Sequence, residues 1–108
     1  MTVNEAIEKF GLTVVALPDG SREISGGYCG DLLSWVMGRA QSGQAWITIM
    51  SNLNVIAVAS LSDVSCVVLA EGVVLDPDAL ARAEHEKINV LSSQMTSYEI
   101  CAAISKLI

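Results

Sequence analysis

Residues 44–70, QAWITIMSNLNVIAVASLSDVSCVVLA, decide the fold of this chain. Residues 44–50 are apolar enough to form a strand that is covered on both faces, and residues 65–70 predict a second buried strand. Residues 55–61 are ambiguous, because their β-branched side chains favour a strand and their alanines favour a helix. We predict a helix there, since two parallel strands need a crossover connection between them.

The segments before this unit continue the alternation. A capping box formed by Thr2 and Glu5 predicts a first helix, and the turn signal Pro18-Asp19-Gly20 bounds a first strand. The pattern predicts in order a helix over 2–10, a strand over 12–17, a short return strand over 21–25, a glycine-rich turn over 26–30 and an amphipathic helix from an N-cap at Asp31 to about Ala40.

The segments after residue 70 continue the alternation of helices and strands. Asp76 and Pro77 are a strong helix start, and Thr96 with Glu99 forms a second capping box. The pattern predicts a helix from Asp76 to Lys87, a strand over 88–91 and a last helix to about Leu107, with Ile100, Ile104 and Leu107 facing inward. We therefore expect one compact α/β domain over 1–108, with a mostly parallel sheet of about four to five strands flanked by helices.

Composition and charge exclude several classes of protein. The chain has 108 residues, of which 52% are hydrophobic, and its net charge is −6. The six basic residues are scattered singly among acids, so we expect neither nucleic acid nor an anionic membrane surface as a partner. No apolar run approaches the ~18–20 residues that span a bilayer, and the N-terminus does not resemble a signal peptide. We expect a cytoplasmic location.

The residues that carry chemistry are few. The three cysteines have no metal-binding or disulfide-framework spacing, and Cys66 and Cys101 are expected to be small core residues. His85 is the only histidine and is expected on a solvated face. No lysine follows the glycine-rich segment, as a phosphate-binding P-loop would require. We expect no catalytic, cofactor-binding or metal-binding residues, and the alternative is a thiol-dependent enzyme or carrier that uses Cys29.

The chain resembles the DRTGG domain, in particular its small stand-alone members. The resemblance is carried by Gly26–Leu33, Trp46–Ile49, Val55–Ala59, Asp76–Asp78 and Thr96–Ile100. It implies a compact α/β fold, which is also similar to the non-catalytic N-terminal domain of HPr kinase/phosphorylase. In larger relatives the domain accompanies nucleotide-sensing CBS pairs and helps to form dimers. The resemblance thus implies a regulatory or assembly role.

Small polar residues follow three of the predicted strands. In open α/β sheets, ligands bind outside the carboxyl ends of the strands. The candidate ligand crevice consists of Ser51, Asn52, Asn54, Glu71, Gly72, Ser92, Ser93 and Gln94. These side chains could hydrogen-bond a base or a sugar, which makes a small molecule or an adenine nucleotide the candidate effector. The alternative is that these residues serve only ordinary capping and turn chemistry, for which Asn and Ser are common in loops.

Large apolar side chains crowd the short helix that follows the glycines. They exceed what one core face needs, so we predict a self-association surface formed by Tyr28, Leu32, Trp35 and Val36. The alternative is a helix that is wholly buried within the monomer. The expected protein is a non-catalytic module that acts as a homodimer and regulates or assembles an unidentified protein partner.

Overall fold

Strands and helices alternate along most of the chain. The computed structural model describes residues 1–108 and contains five helices and five strands. They are α1 (Val3–Phe10), β1 (Thr13–Ala16), β2 (Gly26–Cys29), α2 (Leu33–Arg39), β3 (Gln44–Thr48), α3 (Leu53–Ser62), β4 (Cys66–Leu69), α4 (Pro77–Glu86), β5 (Val90–Ser92) and α5 (Ser97–Ser105). None of these helices is long and apolar enough to cross a membrane.

The strands form one mixed sheet in the order β1-β5-β4-β3-β2. Strands β2, β3, β4 and β5 run parallel to one another, and β1 pairs antiparallel with β5 at one edge. The predicted mostly parallel sheet of four to five strands is therefore confirmed, with one antiparallel edge strand. This arrangement leaves β2 as the opposite edge of the sheet.

Helices cover both faces of the sheet. Trp46 and Val67 belong to a core cluster that includes residues of α2, α3 and α4. Ile47 and Val68 belong to a second cluster, which includes residues of α1 and α5. Since successive side chains of a strand point to opposite faces, the molecule has three layers with the sheet in the middle. Strands β3 and β4 are buried on both sides, which explains their continuous apolar sequence.

The ambiguous segment is a helix, as predicted. The side-chain oxygen of Asn52 accepts a hydrogen bond from the Asn54 N–H at the start of α3. The helix ends at Asp63, which adopts the left-handed conformation with φ 55°. Helix α3 contacts both α2 and α4, so it is buried across a wide face. This breadth explains a run of apolar residues that lacks a helical period.

The glycine-rich segment was predicted to be a turn, and this prediction is wrong. Residues Gly26–Cys29 form strand β2, which pairs in parallel with β3. The predicted return strand over 21–25 is also wrong, because only Glu23 makes a bridge there, with Thr2. Glycine disfavours a strand only weakly, and pairing with the buried strand β3 outweighs that local preference.

Two predicted helix ends are corrected. Asp31 does not cap α2, since Leu32 is the N-cap and provides no side-chain hydrogen bond. The Asp31 carboxylate instead accepts hydrogen bonds from Thr48 Oγ1 at 2.8 Å and from the Ile49 N–H at 3.0 Å. At the other end of the chain, Leu107 lies beyond α5 and is 49% exposed, so it does not face inward.

Candidate functional site

The predicted crevice residues lie at one end of the sheet, at the carboxyl ends of strands β3, β4 and β5. The chain leaves β4 towards α4 and leaves β5 towards α5. These two helices cover opposite faces, as their different core clusters show. A ligand crevice opens at such a point of divergence in doubly wound sheets. The structure therefore brings the predicted residues to the place where a crevice is expected.

Two main-chain hydrogen bonds join the loops after β4 and β5. The Glu71 N–H donates to the Met95 carbonyl at 2.8 Å, and the Gly72 N–H donates to the Ser93 carbonyl at 2.9 Å. Glu71 and Gly72 both adopt positive φ angles, 62° and 72°. The side chain of Gln94 lies against Gly72, so that a Cβ added there would be 2.6 Å from Gln94 Oε1. The loops thus form one connected surface, which we call the strand-end platform.

On the β3 side of the platform, some of the polar groups are already used in hydrogen bonds within the protein. The Ser51 hydroxyl donates to Asp76 Oδ1 at 3.4 Å, and the Asp76 N–H donates to the Ser51 carbonyl at 3.0 Å. Asn52 caps α3. In contrast, Asn54 and Gln94 are exposed, and their amide groups are available to donate and accept hydrogen bonds. A ligand role for the platform stays a prediction.

The charge of the platform restricts what it could hold. The loops 51–54, 71–76 and 92–96 contain no lysine or arginine, and they contain the acids Glu71 and Asp76. A polyphosphate needs cations or unshared N–H donors to offset its charge. The platform therefore suits a neutral base or sugar better than a chain of phosphates.

A separate cavity lies between edge strand β2 and helix α5, and we call it the β2–α5 cleft. Its volume is ≈ 300 Å³, near the lower end of the roughly 300–1,000 Å³ of ligand pockets. It is mostly apolar and is lined by Gly27, Tyr28, Cys29, Ile47, Cys101, Ile104, Ser105 and Ile108. The sequence pattern does not reveal this cleft, because it predicts a turn over residues 26–30 and nothing local places α5 beside them.

The three thiols have different surroundings. Cys29 is exposed, as the thiol-dependent alternative requires. Cys66 is buried, as predicted, and burial raises the pKa of its thiol to about 12. Cys101, expected to be a core residue, is only half-buried and lines the β2–α5 cleft. Burial first, and then the charge of Cys29 and a hydrogen bond with it, raise the pKa of Cys101 to about 11.

A second cavity, of ≈ 420 Å³, lies at the surface beside α4. Its lining includes Leu53, Asp78 and His85, and His85 is exposed, as predicted. Arg82 also lines it and pairs with Glu86 at 3.3 Å, one turn along the helix. No group of three or more His, Cys, Asp or Glu side chains lies close enough to hold a metal ion.

The predicted self-association surface needs one correction. Val36 is fully buried and belongs to the core, because it faces the sheet while its neighbour Trp35 lies on the outer side of α2. Leu32 and Trp35 are exposed by 58% and 53%. The Arg39 guanidinium lies 3.6 Å from the centre of the Trp35 ring. Tyr28 is half-buried against the core.

The comparisons with known proteins support the fold. No family model matches the chain, and no curated protein matches it. Among solved structures it is similar to the CBS and DRTGG domains of the regulatory region of a Clostridium perfringens pyrophosphatase, crystallised with its activator diadenosine tetraphosphate. The TM-score is 0.75 at 11% identity, and the match covers 95% of this chain. The chain spans 45% of that structure's chain, so the likeness shows a shared α/β fold.

Proposed function

We propose that this chain is a non-catalytic regulatory or assembly module, which binds a small molecule containing an adenine nucleoside and acts as a homodimer in the cytoplasm. One observation carries the proposal: the fold is similar, over 95% of the chain, to a regulatory region that was crystallised with a nucleotide activator. An unidentified protein partner would receive the signal. The absence of catalysis is inferred from the sequence, in which no lysine follows Gly26–Gly30 to hold phosphates.

The strand-end platform is the proposed binding site. Its loops diverge to the two faces of the sheet, as they do at the ligand crevices of open α/β sheets. The exposed amides of Asn54 and Gln94 have the donors and acceptors that pair with an adenine edge or a ribose hydroxyl. Because Glu71 and Asp76 flank them, we infer that adenosine binds at least as tightly as ATP.

To test the proposed binding, isotope-labelled protein is titrated with adenosine, ATP and diadenosine tetraphosphate. Binding is followed by the shifts of the protein's amide NMR signals. We expect saturable shifts in the loops after β3, β4 and β5. Gln94→Ala should weaken binding about tenfold, the value of one good hydrogen bond. Gln41→Ala is the matched control, because Gln41 is also an exposed loop glutamine but lies before β3, at the opposite end of the sheet. It should bind as the wild type does.

Two outcomes contradict the proposed site. One is an absence of saturable shifts with all three compounds at millimolar concentration. The other is a set of shifts confined to the β2–α5 cleft, with Gln94→Ala binding as tightly as the wild type. Tighter binding of ATP than of adenosine would contradict the assignment of the nucleoside as the recognised part.

We propose that the outer side of α2 forms the dimer interface. Leu32 and Trp35 are large apolar side chains that α2 leaves exposed beside the edge strand β2. Tryptophan is enriched among the residues that dominate interface energies, and a twofold dimer brings the same patch of each copy together. We infer that Trp35 packs against its counterpart helix in a second copy of the chain.

A further inference from the structure

Two thiols that are far apart in sequence meet at the β2–α5 cleft. Cys29 is the last residue of edge strand β2, and Cys101 lies within α5. Cys29 pairs in register with Ile47 of β3, so both side chains are on the face that α5 covers. Helix α5 packs against β2 and β3, which places Cys101 in the same cleft wall.

The two thiols differ in access in the way that a thiol–disulfide exchange requires. Cys29 is exposed, so a small reagent in solution reaches it. Cys101 is half-buried and has a raised pKa, to which Cys29 contributes after burial. The third thiol, Cys66, is buried under the same face and is out of reach. Cys29 is therefore the thiol that reacts first with the reagent, and Cys101 is the thiol that reacts second.

We propose that Cys29 and Cys101 form a reversible intramolecular disulfide, made by exchange with a low-molecular-weight disulfide such as glutathione disulfide. This modification site is independent of the nucleotide proposal, because the strand-end platform and the cleft share no residue.

The exchange proceeds in two displacements. The Cys29 thiolate attacks one sulfur of glutathione disulfide, whose S–S bond breaks and releases one glutathione thiolate, which takes up a proton. The Cys101 thiol then loses its proton and attacks the Cys29 sulfur, and the second glutathione leaves as the mixed disulfide breaks. In total, two protein thiols lose two electrons and two protons, and one glutathione disulfide becomes two glutathione molecules.

The disulfide would change the cleft and the edge of the sheet. It would tie the last helix to a strand that otherwise has only β3 as a partner. Because the bond closes a long loop, it would restrict the unfolded chain strongly. The oxidised protein should therefore be harder to unfold, and its cleft should be closed at the thiol end.

The test uses the reduced full chain in a buffer of glutathione and glutathione disulfide, with free thiols alkylated before mass spectrometry. Before alkylation the product should be about 2 Da lighter than the dithiol form, and alkylation of the unfolded chain should then label Cys66 alone. A peptide map should link the peptides that contain Cys29 and Cys101. The melting temperature should rise by about 10 °C on oxidation and return on reduction.

Two variants separate the roles of the thiols. Cys101→Ser should stop at a mixed disulfide of glutathione on Cys29, with no rise in melting temperature. Cys29→Ser should remain unmodified, since Cys101 is only half-exposed and poorly ionised. The proposal is overturned if the wild type also stops at the mixed disulfide, or if oxidation links Cys29 of one chain to Cys29 of another.

Discussion

At the scale of single residues, the turn at Glu71 and Gly72 shows how a local conformation holds the proposed site. Both residues have positive φ angles, and their N–H groups bond the loop that follows β5. Gly72 lacks the Cβ that would collide with the Gln94 side chain. Glycine is therefore favoured at position 72 for its backbone conformation, since the exposed end of the Gln94 side chain can move aside.

Gly72→Ala should lower the free energy of unfolding by about 1–2 kcal/mol, because alanine resists the left-handed conformation. Urea denaturation measures the change. Adding Gln94→Ala should recover little of this loss, because the Gln94 side chain can move away from the methyl group by itself. Gly38→Ala is the control: Gly38 lies in the exposed helix α2 with open space around it, so alanine should stabilise the protein by about 0.5–1 kcal/mol. Equal losses from both substitutions would contradict this account.

At the scale of secondary-structure elements, helix ends with local capping signals were predicted best. The capping boxes of Thr2 with Glu5 and of Thr96 with Glu99 are both formed. Asp76 and Pro77 open α4 as predicted. The two capping boxes are closed by atoms within three residues of each other, so the sequence alone suffices to predict them. Asp76 occupies the N-cap position of α4, but its side chain makes no capping hydrogen bond. The failed cap at Asp31 is instructive, because its carboxylate binds the end of β3, which is distant in sequence.

The capping box of α5 should make stability depend on pH. The backbone N–H and then the hydroxyl of Thr96 lower the pKa of the Glu99 carboxyl below its ordinary value of 4.5. A lowered folded-state pKa gives stability that is present above 4.5 and is lost as the pH falls through the folded value. Glu99→Gln should therefore be less stable than the wild type at pH 7.

The two unfolding curves should converge as the solution is acidified below the folded pKa of Glu99, where the wild-type carboxyl is protonated as well. Thermal unfolding followed by circular dichroism between pH 2 and pH 7 measures the difference. Glu5→Gln tests the same box in α1, since hydrogen bonds with Thr2 lower the pKa of Glu5 too. A difference that stays constant over the whole pH range would rule out the titration of Glu99 as its cause.

At the scale of the whole molecule, the order of the sheet determines which surfaces are free. Strands β3 and β4 are central and covered by helices on both faces, whereas β2 is an edge. The exposed side of α2 lies next to that edge, and the β2–α5 cleft lies on its other face. The proposed dimer surface and the proposed disulfide therefore lie near the same edge strand, β2, but on opposite faces of the sheet.

Trp35→Asp should dissociate the proposed dimer. Removing a central interface tryptophan typically costs at least about 2 kcal/mol, so the dissociation constant should rise by roughly 30-fold or more. Light scattering after size exclusion should show the wild type at twice the chain mass of 11.4 kDa and the variant at the single-chain mass. Leu61→Asp is the control, because Leu61 is also exposed but lies on α3. A wild type that is monomeric at every concentration tested would refute the dimer.

The amino-acid sequence is sufficient to predict the α/β class, the central strands, the crossover helix α3 and the capped helix starts. These features depend on apolar periodicity and on hydrogen bonds between near neighbours, and both can be recognised within a short stretch of sequence. Three features become visible only in the folded chain: Gly26–Cys29 is an edge strand, Val36 faces the core, and Cys29 lies beside Cys101. Each of these depends on a partner distant in the chain, β3 for the strand, the sheet for Val36 and α5 for the thiol. A local sequence pattern cannot predict such a contact, because the two segments become neighbours only when the sheet forms.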